Sequence, residues 1–263
     1  MVDETLRMTF QRQSLGLTSD GYRRWQTETT ETCWPATATA LLLCDVWNRH
    51  TCPAAETRLE RLVPRMAQLV DVLRARGVQI VHAPSDTMAY YAGSPARERL
   101  LAAPKVAPPA DNPHDDPPLP IDATGGGCDA DREEPHPPWP WTREHPGISI
   151  DETADVVSDN GRDLYSFYQQ RGIRHVLIMG VHTNMCVLNR TFAIKQLVRW
   201  GAEVALIRDL TDAMYDPARP PYVSHDEGVR LVVEYIEKFW CPTVASADLF
   251  GVVPAPLRLD SAV

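Results

Sequence analysis

Lysine is nearly missing from this chain: Lys105, Lys195 and Lys238 are the only three in 263 residues. Lys and Arg together number 26 against 35 Asp and Glu, a net charge of −9. That balance argues against nucleic acid or an anionic membrane as the main partner. No apolar run approaches the about 20 residues of a membrane span, and the opening stretch Met1 to Gln13 has no apolar h-region of a signal peptide. The six cysteines include no C-x-x-C pair and are too sparse for a disulfide scaffold. The expectation is therefore a reducing, cytoplasmic setting, with each thiol judged singly.

What is present is alternation of strands and helices. TATALLLCDV, Thr37 to Val46, is apolar at its centre, as a parallel strand buried on both faces requires. Leu59, Leu62, Val63, Met66, Leu69, Val70 and Leu73 recur at helical spacing. Gly77 stops that helix, and Pro64 suggests a start near Val63 with the proline in the first turn. Further strands are expected at Val78 to His82, Ile148 to Val157, Arg174 to Val181, Glu203 to Ile207 and Pro242 to Ala245. Helices are expected at Gly161 to Arg171, Met185 to Trp200 and Asp226 to Phe239. This order predicts an α/β fold: a three-layer α/β/α, Rossmann-like domain over 1–263, with a doubly wound, mostly parallel sheet of about six strands. Between its halves, Ala102 to Pro146 holds 12 of the 23 prolines and a Gly125-Gly126-Gly127 run. It reads as a long insertion loop or a disordered linker. Trp139 and Trp141 favour a loop packed over something, because large aromatic faces are costly to leave in water.

In such sheets ligands bind beyond the carboxyl ends of the strands. Cys44-Asp45, then His82 and Asp86, then His182 to Cys186 all stand there. Cys186 follows the turn GVHTNM and opens a helix. Free N–H groups there lower a thiol's pKa and can hold an oxyanion, so Cys186 is expected to be the most readily alkylated thiol. The alternative is a small core residue. Asp45 ends a buried strand, where a carboxylate is costly unless paired or functional, and next to a thiol it can act as general base.

LLLCDVWN together with GVHTNMCVLNRTFAIKQLVRWGAEVALIRDLTDA resembles the isochorismatase-like cysteine hydrolases, which include nicotinamidases and N-carbamoylsarcosine amidases. The resemblance rests on Asp45, Gly180-Val181, Thr183, Cys186-Val187, Gly201 and Asp209 to Ala213. It implies that Cys186 attacks a carbonyl, usually an amide, to form a thioester that water hydrolyses, with Asp45 as base. Backbone N–H groups of Cys186 and of the turn near His182 would form the oxyanion hole, often with a cis peptide, here Val181–His182. It also implies a small-molecule substrate, no cofactor for the cysteine route, and assembly into dimers or tetramers. Trp47, His50, His82, His182, Thr183 and Asn184 are expected to line the substrate pocket. The rivals are hydrolysis of another bond type and a non-catalytic binding protein on the same fold.

Two departures stand out. The family's catalytic lysine has no counterpart, since the matching stretch reads ADVVSDNGRD. Arg143, expected to be carried toward Cys186 by the insertion, is the first candidate for the missing cation, and Lys105 is the second. Arg supplies charge but not proton transfer. Nor is there an Asp-x-His pair after the second strand. A divalent metal near His50, His82 and Asp86 stands against the plainer reading of pocket-lining or core histidines.

Overall fold

Every residue of the strand Thr39–Cys44 (β3) is buried, and the rest of the molecule is arranged around it. The structure, a computed structural model, describes residues 4–130 and 139–250. β3 pairs in parallel with Gln79–Ala83 (β4) on one side and His175–Val181 (β6) on the other. Val156–Val157 (β5) extends the sheet beyond β4, and Glu203–Asp212 (β7) with Thr243–Val244 (β8) extends it beyond β6. This is the expected doubly wound parallel sheet.

A long hairpin, Thr5–Leu17 (β1) and Arg23–Pro35 (β2), adds two antiparallel strands. The order is β2-β1-β8-β7-β6-β3-β4-β5, eight strands among the described residues against the six expected. β1 meets β8 at Gln11 and Thr243 alone. The buried Glu237 carboxylate fastens that contact by accepting from Gln11 Nε2 at 2.9 Å and from Thr243 Oγ1 at 2.7 Å.

Period-two exposure of β3 builds two cores. Leu41 and Leu43 face the helix Pro53–Ala75 (α1). Ala40, Leu42 and Cys44 face Gly161–Arg171 (α3), Ile194–Arg199 (α5) and His225–Phe239 (α6), with Pro95–Leu101 (α2) at the margin. α1 begins a decade earlier than expected, with Pro53 in its first turn and Pro64 inside. An interior proline costs about 3 kcal/mol. Seven buried side chains from Ala55 to Leu73 outweigh it, at about 1.5–3 kcal/mol for each large one.

Other boundaries are corrected too. The strand expected from Ile148 shrinks to β5. The helix expected over Met185 to Trp200 is two pieces, Cys186–Asn189 (α4) and α5, because Arg190 turns extended (ψ 153°). α3 enters against that break. A Cβ on Gly161 would lie 1.9 Å from Thr191 O, so only glycine admits the contact.

Cys52 and Cys128 form a disulfide across 76 positions, which corrects the expectation of six single thiols. The insertion is therefore tethered to the start of α1. Before the tether it crosses the helical face: Asn112 N–H donates to Arg199 O, and Tyr235 Oη donates to Pro117 O. Residues 131–138 of the insertion lie outside the described residues. Its far end returns antiparallel to Trp47, with Asn48 N–H to Arg143 O and His145 N–H to Val46 O. Among the described residues no helix is long and apolar enough to cross a membrane.

Candidate active site

Where β3 ends, Asp45 takes a left-handed backbone (φ 52°) and its carboxylate is wholly buried. Oδ1 accepts the Ser85 backbone N–H at 2.7 Å and Oδ2 accepts Arg190 Nε at 2.9 Å. The Cys186 thiol lies beside the same carboxylate.

Cys186 is delivered by the turn between β6 and α4. Gly180 lets β6 approach β3 closely, since a Cβ there would sit 2.0 Å from Cys44 O. The Val181–His182 peptide is cis, as expected. Thr183 N–H donates to Asp212 O at 2.7 Å, and its hydroxyl shares a bond with Thr211 Oγ1. The Asn184 amide brackets Met214, donating to its carbonyl and accepting its N–H, both at 2.9 Å. Thr183 and Asn184 are thus buried and spent on holding the turn.

Burial pushes the Cys186 thiol up to about 12, and the Asp45 charge adds to it; Arg190 and the His182 backbone N–H oppose the shift. Burial also raises Asp45, against Arg190, Cys186 and Ser85. The resting arrangement is a neutral thiol beside a carboxylate. The sequence pointed the other way, to a thiol made acidic by a helix start. α4 is a single turn of four residues, too short for that field to overcome an adjacent carboxylate.

The cation at this pair is Arg190, one helical turn beyond Cys186, with its N–H on Cys186 O at 3.0 Å. Neither expected candidate stands there. Arg143 Nη1 donates to Tyr90 Oη at 2.9 Å and lies over that ring, while Lys105 pairs with Asp163 at 2.9 Å. The signal that finds Arg190 is its i+4 spacing from Cys186, which places both on one face of a turn.

Beside Arg190, whose guanidinium carbon lies 6.0 Å from the Trp47 ring centre, runs an aromatic stack. Trp47 donates its indole N–H to Ser85 O and stacks on Trp141 at 4.2 Å, and Trp139 stacks on Trp141 in turn. His50 lies against Trp141 and meets His182 edge-on at 4.7 Å. Burial holds His182 down at about 3, so it is neutral. The insertion does pack over something, through Trp141. Its rim is held by Arg58, which pairs with Asp129 and with Asp212; Asp212 also pairs with His225.

His82, expected to line the pocket, lies in the interior. It is fully buried between Glu144 Oε2 at 2.7 Å and Asp155 Oδ2 at 3.1 Å, which together overcome burial and raise it to about 9. A charged imidazole claimed by two carboxylates does not fit a metal ligand. Asp86 faces Arg190, and among the described residues no group of three or more His, Cys, Asp or Glu side chains is arranged to hold a metal ion.

A doubly wound parallel sheet with a thiol at a helix start after β6 and a carboxylate at the end of β3 defines the class, the isochorismatase-like fold. The chain is similar to a cysteine hydrolase from Pseudomonas syringae pv. phaseolicola, at 16% identity and a TM-score of 0.51, over 82% of this chain and 93% of that one. It is also similar to an isochorismatase from Pseudomonas putida, at 12% identity and a TM-score of 0.50, over 81% and 90%. No family model and no curated protein matches the sequence.

Proposed function

We propose that this chain is a single-domain cysteine hydrolase that cleaves a C–N bond of a small amide-type substrate through a thioester on Cys186. The observation that carries the reading is the Cys186 thiol beside a buried carboxylate that Arg190 holds. Asp45 takes the thiol proton as sulfur attacks the carbonyl carbon. The oxyanion that forms is met by backbone N–H groups of Cys186 and of the preceding turn. Collapse breaks the C–N bond, and the leaving nitrogen takes the proton from Asp45. Water, losing a proton to Asp45, then attacks the thioester; the acid leaves and the proton returns to sulfur. Neutral His182 adds no competing charge.

A stacked wall of Trp47, Trp141 and His50 supports a small planar substrate over a bulky flexible one. The Cys52–Cys128 bridge weighs against a reducing, cytoplasmic setting. Assembly into dimers or tetramers belongs to the same proposal, and light scattering tests it. The decisive experiment is a panel of amides, ureides and carbamoyl compounds with ammonia detection. Release that disappears in Cys186→Ala supports the hydrolase. No release from any member, with no acyl adduct on Cys186 by mass spectrometry, favours a binding protein on this fold.

A further inference from the structure

Two aspartates hold one arginine at this site. Asp45 and Asp86 stand beyond neighbouring strands, and both take left-handed backbone, φ 52° and 64°. That conformation is uncommon outside glycine and gathers at functional sites. Arg190 Nε meets Asp45 Oδ2 at 2.9 Å, and Nη2 meets Asp86 Oδ2 at 3.3 Å. The guanidinium carbon lies 6.0 Å from the centre of the Trp47 ring. Asp86 is steadied in turn by its N–H on Asp159 Oδ2 at 3.1 Å.

We propose that Arg190 is the permanent charge of the Cys186–Asp45 pair, a positioning residue that keeps the Asp45 carboxylate anionic and aimed at the thiol, with Asp86 as its outer anchor. The inference rests on the reading of Cys186 as nucleophile. The Arg190–Asp86 contact alone would be a half-exposed ion pair of little worth. Asp45 is different: it is fully buried, and a buried carboxylate without a partner takes up a proton. A protonated Asp45 cannot accept from sulfur. Because a guanidinium does not release its proton near neutral pH, Arg190 shuttles nothing, and all proton traffic passes through Asp45. The charged or titratable groups around the pair are Asp45, Cys186 and Asp86, with the buried Cys44 thiol beside Asp45.

The test needs no substrate. Iodoacetamide labelling of the intact chain is followed cysteine by cysteine from pH 6 to 10, with exposed Cys33 as internal reference. Arg190→Gln is expected to slow Cys186 labelling by about tenfold or more relative to Cys33, because Asp45 without its cation takes up a proton and no longer accepts from sulfur. Arg190→Lys is expected to restore most of the rate. Asp45→Asn is expected to slow labelling as well, since no base is left to take the thiol proton as sulfur attacks. That variant keeps the side-chain shape and stays informative should Arg190→Gln not fold. An unmoved profile in folded Arg190→Gln, or labelling in Asp45→Asn as fast as in the wild type, overturns the proposal. Absence of turnover on every amide, with these shifts present, would instead count against the hydrolase reading alone.

Discussion

Ser85 donates its backbone N–H to Asp45 Oδ1 at 2.7 Å, so the loop after β4 orients the carboxylate at the end of β3. Oδ1 is thereby engaged, and Arg190 Nε engages Oδ2. Asp45→Asn keeps the volume of this group and removes its basicity. We expect near-native circular dichroism and a loss of turnover of about 10²–10⁴-fold, the usual scale for a general base. Near-normal turnover in the folded variant would remove Asp45 from the mechanism.

The same residue sets a pH limb. Burial raises Asp45 above the ordinary carboxylate value, near 4, and the base works only when ionised. kcat/KM is therefore expected to fall as pH drops through a value above 4, and to fall at still higher pH in Arg190→Gln. A limb at or below the ordinary carboxylate value would contradict the burial that defines this site.

The Cys52–Cys128 bridge closes a loop across 76 positions. The chain-entropy relation assigns such a loop about 4 kcal/mol of stabilisation. Denaturation with and without a dithiol reductant should show a lower midpoint in the reduced protein, matched by a Cys52→Ala, Cys128→Ala double variant. Equal midpoints would mean that the Arg58–Asp129 pair and the Trp141 stack secure the insertion unaided.

His82 offers a separate test of the buried charges. Glu144 and Asp155 raise it to about 9 from an ordinary 6.5. Its contribution is complete below about 6.5 and is lost as pH rises through 9, on the order of a few kcal/mol. Melting temperature should therefore decline over that window in the wild type and decline less in His82→Gln. Parallel curves would show that His82 is neutral in the folded protein.

Much of this was legible in the chain. TALLLC and HVLIMGV are too apolar and too short for anything but central strands, and residues just past such strands reach the ligand side of the sheet. That reasoning located Asp45 and Cys186. The hairpin was missed, although Leu6, Met8 and Phe10 alternate and Asp20-Gly21 marks the turn. A polar second strand, exposed along most of its length, masks the pattern when only apolar runs are followed.

Arg190, the thiol's proton affinity, the Cys52–Cys128 pairing and the burial of His82 were decided by the tertiary structure. Along the chain Arg143 and Lys105 were the candidates for the missing cation, and nothing there singled out Arg190. Only the break after α4 turns Arg190 onto Asp45, while the returning insertion carries Arg143 to Tyr90. His82 reads as a strand-end ligand until Glu144 and Asp155 close on it from 62 and 73 positions away. Composition and periodicity are properties of neighbours in sequence, and they locate strands and the groups at their ends. A pairwise charge interaction falls off with distance in space, so which cation faces which carboxylate is settled when the sheet and the insertion come together.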